Sequence, residues 1–320
     1  MLDWLRFFTT KASFDVKRTF WLITKYSISA ACLFYVFRDI PMTDLLAALE
    51  RYSILPVFAV VTVPFAAYVM MGLRLSFMAD PPLSFRSTFF ATLVGLAVNN
   101  VLPAKVGEIA KAVWIGREND LPSQKTLGIV FMERFFDVNV LALLSIWFLW
   151  VLGEHSLAIA FMTCLVIGWC ILVIFHRNQA LAERFTGLFG RGQIRILVSQ
   201  ALSGILDNMS PKRLLWLSIT SIALWSLYTV QMFLCLNLVA ELNLDWAVVL
   251  SALALSGLSM LLPASPGGIG VYQALIMTFL TRHGVEPDAA LAIALVSHMV
   301  QLIPVTLAGG LIFAAFSGGN

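Results

Sequence analysis

Apolar residues run along this chain in blocks long enough to cross a bilayer, and two further blocks are broken where they should continue. About 20 consecutive apolar residues are needed to span as a helix. Residues 20–37, 54–77, 127–152, 157–175, 214–239 and 289–313 meet that requirement. Residues 89–101 and 247–262 are too short, and each runs into a break followed by another short apolar piece, 108–115 and 271–280. Residues 176–213 are polar with amphipathic stretches and read as a linker. Irregular backbone at membrane depth is tolerated only where protein or water covers it. Each broken pair therefore predicts a re-entrant hairpin that enters and leaves on one side.

The two breaks are related. Leu102-Pro103-Ala104-Lys105-Val106-Gly107-Glu108-Ile109 returns 160 residues later as Leu262-Pro263-Ala264-Ser265-Pro266-Gly267-Gly268-Ile269, with five of eight positions identical. Each half then holds three spans and one hairpin. Three is odd, so the second half lies upside down relative to the first, an inverted-topology repeat. The expected fold is an all-α polytopic membrane protein. Its parts are a cytoplasmic N-terminal segment 1–19, a first repeat 20–155, a second repeat 156–313 containing the linker 176–213, and a tail 314–320.

Charge sidedness agrees with that topology. With the N-terminus in the cytoplasm, inside segments hold fourteen Lys and Arg, among them Arg86, Lys111, Arg117 and Lys125, against Arg38, Arg51 and Arg282 outside. Lys25, Arg74, Lys105 and Arg134 are set aside as embedded or boundary positions. The bias follows the positive-inside rule and places the C-terminus in the cytoplasm as well.

Composition narrows the class further. The chain of 320 residues is 60% hydrophobic and 12% charged, where a soluble protein carries roughly 25% charged residues. A net charge of +3 is too small to argue for nucleic acid. Cys32, Cys164, Cys170 and Cys235 lie inside apolar runs with neither disulfide-framework nor zinc-ligand spacing. No nucleophile–base constellation, metal set or cofactor motif is found, so an enzyme is not expected. The Gly-rich turn Gly267-Gly268-Ile269-Gly270 lacks the Lys-Ser/Thr of a phosphate-binding loop.

The remaining candidates are polar residues inside the membrane. Glu133, Arg134 and Asp137 lie roughly 9–15 Å into their span at 1.5 Å per residue. Glu133 and Asp137, four apart, share a face, and Arg134 puts the compensating cation on its edge. Ionisable groups in lipid are costly, so this face points into the bundle or a wet cavity, as an ion-pair lock or a substrate site. Lys105 and the helix start after Gly107 offer a phosphate site, or Glu108 fills that place itself as an N-terminal carboxylate. Asn99 and Asn100 either satisfy backbone freed by the break or line a path. In the second half, Pro263, Ser265, Pro266, Gly267, Gly268 and Gly270 form an uncharged tip whose glycines pack closely or flex. His298 stands where Arg134 stands in the first half, hydrogen-bonded in the bundle or serving as a proton relay.

Asn99 through Lys111, then Glu133-Arg134-x-x-Asp137, then Leu262 through Gly270, together resemble the flippase-like membrane domain of the lysylphosphatidylglycerol synthase/flippase family. The resemblance covers roughly residues 20–313. It implies a lipid flippase in a bacterial or archaeal cytoplasmic membrane. Bifunctional members continue into a cytosolic aminoacyltransferase domain, and synthase activity is not expected here. The cargo implied is a membrane lipid with a polar, phosphate-bearing head group: a phospholipid, glycolipid, hopanoid or polyprenyl carrier. A homo-oligomer or a biosynthetic partner enzyme is the protein partner to consider. Two other readings compete: a membrane-embedded enzyme acting on lipid head groups, and a non-transporting scaffold for a lipid or glycan pathway.

Overall fold

The computed structural model describes residues 16–102, 105–190, 192–260 and 266–317. Among these residues the chain forms thirteen α-helices and no strand. In chain order they are α1 Val16–Phe37, α2 Met42–Glu50, α3 Ile54–Ser76, α4 Phe85–Val101, α5 Gly107–Glu118, α6 Ser123–Val151 and α7 His155–Arg177. Then come α8 Gln179–Gly187, α9 Gln193–Leu206, α10 Pro211–Leu234, α11 Trp246–Ser259, α12 Val271–Arg282 and α13 Pro287–Ser317.

Local chemistry sets several of the boundaries. Pro211 opens α10 at its first turn, where the missing N–H costs nothing. A π turn, Cys235–Val239, closes the same helix. Asn237 then clamps the following turn, accepting from Leu244 N–H at 2.6 Å and donating to Leu244 O at 2.9 Å. Asp245 caps α11 by accepting from Val248 N–H at 2.9 Å.

Among the described residues four helices are long and apolar enough to cross a membrane: α3, α7, α10 with its π turn, and α13. Helix α6, with 29 residues, has the length but carries the charged triplet. The chain is thus an all-α polytopic membrane protein. Helices α4 and α5 pack side by side across the first break, and α11 and α12 across the second. Each pair also leans on the long helix of the other half: α4 lies on α13, and α11 lies on α6. Helices α3 and α10 pack on each other between them. The largest core among the described residues joins α10, α11, α12 and α13 through Met232, Val249, Ala252, Ile276, Leu280 and Ile293. Ala252, Ala254, Ala290 and Ala294 sit among its larger side chains, where small residues let helices approach closely in lipid.

Two expectations need correction, and one helix was not foreseen. The interval 176–213 is not an open linker, since α8 and α9 occupy most of it and α9 packs along α6. A Cβ on Gly128 of α6 would strike the Ala201 carbonyl and Gly204 of α9, so the amphipathic stretches were packing faces. Residues 42–50 form α2, whose Leu45 and Ala48 are buried and which packs on α13. Lys111, counted among the cytoplasmic charges, is 2% exposed and belongs to the interior.

Candidate functional site

Helix α6 delivers Glu133 and Asp137 on one face, and that face meets a cation from each of two neighbours. Arg74, on α3, is fully buried. Its Nη1 donates to Asp137 Oδ1 at 2.7 Å and to Ser221 Oγ of α10 at 3.0 Å. Its Nη2 donates to Glu133 Oε1 at 2.8 Å and to Asp137 Oδ2 at 3.1 Å. Lys111, on α5, donates to Glu133 Oε2 at 2.5 Å. The Trp216 indole of α10 donates to the Arg74 carbonyl at 3.1 Å. Glu133 is as buried as Arg74. One network therefore ties α3, α5, α6 and α10 together. Buried charges persist only when paired and hydrogen-bonded, and here both carboxylates are.

Arg134 was expected to compensate these carboxylates. Arg134 does reach Glu133, at 3.4 Å, but Arg74 and Lys111 hold the carboxylates more closely, and the Arg134 side chain stays 33% exposed. It still reaches Asp137 at 3.1 Å and Glu108 at 3.4 Å. Its Nε and Glu108 Oε2 face each other without hydrogen-bond alignment. Lys105 sits nearby in a left-handed backbone conformation with φ 53°, and among the described residues no carboxylate pairs with it.

Arg134, Asp137 and Lys105 line a cavity of about 310 Å³. The same cavity is bordered by Asn100 at the end of α4, by Gly267 in the second break and by His298 on α13. Both breaks therefore converge on one space beside the charged face. That size is at the lower end of small-molecule sites, about 300–1,000 Å³.

The other expected residues divide between this wall and its supports. Asn99 Oδ1 accepts from Gly107 N–H at 2.8 Å and its Nδ2 donates to Glu108 Oε1 at 3.1 Å. The first N–H of α5 is thus already satisfied within the helix pair. Asn100 donates to Thr306 Oγ1 of α13 at 2.9 Å. In the second half Gly270 N–H donates to Gln273 Oε1 at 2.8 Å, which turns the Gln273 Nε2 toward His298 Nδ1 at 2.9 Å. His298 Nδ1 must accept that bond, so the ring proton of the neutral imidazole sits on Nε2. Tyr272 stacks on His298 at 4.3 Å, and its hydroxyl lies 3.0 Å from Ser297 Oγ. These contacts favour a hydrogen-bonded structural histidine over a relay. Gly267, Gly268 and Gly270 all hold positive φ, 68°, 71° and 92°, a conformation open to glycine at little cost. Pro266 opens the short helical turn Pro266–Gly268. Pro103, Pro263 and Ser265 lie outside the described residues.

Gly107 serves a different purpose from the second tip. A Cβ there would collide with the Gly95 carbonyl and come within 2.6 Å of Asn99 Cγ. The two glycines let α4 and α5 touch backbone to backbone. Gly107→Ala is accordingly expected to lose expression and melting temperature together, because overpacking costs about 1–3 kcal/mol or more. A well-folded Gly107→Ala that had lost only transport would point to gating instead.

Sequence reasoning missed Arg74 and Lys111 as site residues. The signal for Arg74 was present: it is the only charged residue in α3. Lys111 was assigned by proximity to a polar interval, and only its ion pair with Glu133 of α6 places it in the interior.

Comparison with known proteins agrees with this architecture. The chain is 24% identical over 267 residues to a UPF0104 membrane protein of Methanothermobacter thermautotrophicus, covering 77% of this chain and 79% of the relative. It is 24% identical over 226 residues to UPF0104 membrane protein MJ1078 of Methanocaldococcus jannaschii, covering 68% and 92%. It is also 24% identical over 263 residues to Glycosyltransferase AglD of Haloferax volcanii, a match over 69% of this chain and 42% of that protein. Residues 22–309 match the family described as the lysylphosphatidylglycerol synthase TM region. With nearly the whole described bundle inside that match, the chain is a multi-pass membrane protein that belongs to the lysylphosphatidylglycerol synthase TM region family.

Proposed function

We propose that this protein moves a lipid with a phosphate-bearing head group between leaflets, by alternating access around the cavity where its two breaks meet. One observation carries the reading. The cluster beside the cavity holds four cations, Arg74, Lys105, Lys111 and Arg134, and three carboxylates, Glu108, Glu133 and Asp137. Arg134 is shared among Glu108, Glu133 and Asp137, so the cation in excess is Lys105, which lines the cavity beside Arg134. An uncompensated cation in a bilayer is costly unless an anion visits it, and a phosphodiester supplies one negative charge. Transport rather than head-group chemistry is supported by the carboxylates, since Glu133 and Asp137 are both held by arginine and Glu133 also by lysine. The glycosyltransferase-named relative favours a second reading, in which the protein serves a lipid or glycan pathway beside a partner enzyme.

The proposed cycle uses the inverted repeat, with the first unit at 20–155 and the second at 156–313 and both termini in the cytoplasm of a bacterial or archaeal cell. Reconstitution into liposomes tests the function: labelled phosphate-bearing lipid in the outer leaflet should become protected at a rate set by protein content. Protection no faster than in empty liposomes would exclude transport. Cysteine labelling tests the orientation. In a cysteine-free background, Ser53→Cys and Glu286→Cys should react in intact cells and Gly192→Cys only after permeabilisation.

A further inference from the structure

The cavity has a second, uncharged wall. Trp225, Tyr228 and Gln231 recur every three residues on α10 and so share a face. All three line the cavity. Gln231 is 1% exposed, yet neither its Oε1 nor its Nε2 has a hydrogen-bond partner. The Trp225 indole N–H is likewise buried and unpartnered. Buried polar atoms in a folded protein are almost always paired. Three such atoms, in uncharged side chains that line one cavity, are left for polar groups that the chain itself does not supply.

The chemistry of that wall is specific. A primary amide offers donors and an acceptor, and an indole adds one donor. Neighbouring hydroxyls on a ring both give and accept hydrogen bonds, so a polyol can satisfy all three atoms at once. The rings of Trp225 and Tyr228, in edge contact at 5.8 Å, add apolar area for the carbon face of such a ring. A cationic head group would instead meet Lys105 and Arg134 across the same space. Resting on the transport reading above, we propose that the cargo head group is a sugar joined to its lipid through a phosphodiester. Lys105 and Arg134 take the phosphate, and Gln231 and Trp225 take the sugar hydroxyls.

Binding to the full chain in detergent tests this, using a prenyl phosphoryl hexose and the prenyl phosphoryl methyl ester, which has the same charge and no sugar. Wild-type protein should bind the hexose lipid about tenfold more tightly, as expected for two or three additional net hydrogen bonds. Gln231→Leu should cut that preference to about threefold, the share left to Trp225, keep the affinity for the methyl ester, and melt at or above the wild-type temperature. Trp225→Phe, which keeps a ring and loses the N–H, should narrow the preference by about threefold. Equal wild-type affinity for the two lipids, or a preference undiminished by Gln231→Leu, would overturn the sugar assignment and leave the phosphate reading standing. Failure of wild-type protein to bind either lipid would remove the transport reading along with it.

Discussion

Arg74→Ala should be the most damaging single substitution in the membrane core. Removing one partner of a buried charge network costs about 3–5 kcal/mol, because the opposite charges stay buried and unpaired. Here Asp137 would lose its bidentate partner, Glu133 one of its two buried cations, and Ser221 its donor. A loss of that size is a large fraction of a typical stability of about 5–15 kcal/mol. The variant should express poorly and melt early in detergent. Arg74→Lys should recover only part of the loss, since a point ammonium cannot reproduce a planar fork that grips three side chains. Ser221→Ala, which deletes one neutral acceptor, should cost about 1 kcal/mol. An Arg74→Ala protein melting at the wild-type temperature would show that the network does not hold the bundle together.

Arg134→Ala should behave in the opposite way. Glu133 and Asp137 keep Arg74 and Lys111 when Arg134 is removed, so the fold should survive with a modest drop in melting temperature. What disappears is one of the two cations that line the cavity, Lys105 being the other. A hydrogen bond to a charged group contributes about 1.5–3 kcal/mol, so phosphate-lipid binding and transport should fall by about 10- to 100-fold. Arg134→Lys should fold normally and fall between the two. The pair of measurements, melting temperature and translocation rate, separates the roles of two arginines less than one helix apart. An Arg134→Ala protein that fails to fold would move Arg134 into the structural lock.

Much of this was legible from the chain, for physical reasons. The runs of apolar residues named the long helices because a bilayer imposes a length, and the Pro- and Gly-bearing breaks named the ends of α4 and α11. The charged triplet on α6 was recognisable because ionisable groups at membrane depth are rarely neutral passengers. The partners were harder. Arg74 is 59 residues from Glu133 in sequence, and Lys111 is 22, so only the packing of α3 and α5 on α6 brings them together. Spacing along one helix pointed to Arg134, three residues from Asp137, while the third dimension supplied a better-buried competitor. The helices of 176–213 were hidden for a related reason, because their apolar faces are narrow and answer to α6 rather than to lipid. Gln231 gave no signal at all: a lone amide in an apolar helix is unremarkable until both its ends prove unpartnered.

The two helix pairs are fastened to the long helix that follows each by different kinds of bond. The first is joined to α6 by the Lys111–Glu133 ion pair, the second to α13 by the Tyr272–Ser297 and Gln273–His298 hydrogen bonds. A neutral hydrogen bond contributes about 0.5–1.5 kcal/mol net, whereas parting charges in a dry interior costs several times more. Such a machine is built with one riveted jaw and one latched jaw. Thermal agitation will work the latch long before it shears the rivets, so the stiffness of the molecule is lopsided even where its architecture is paired.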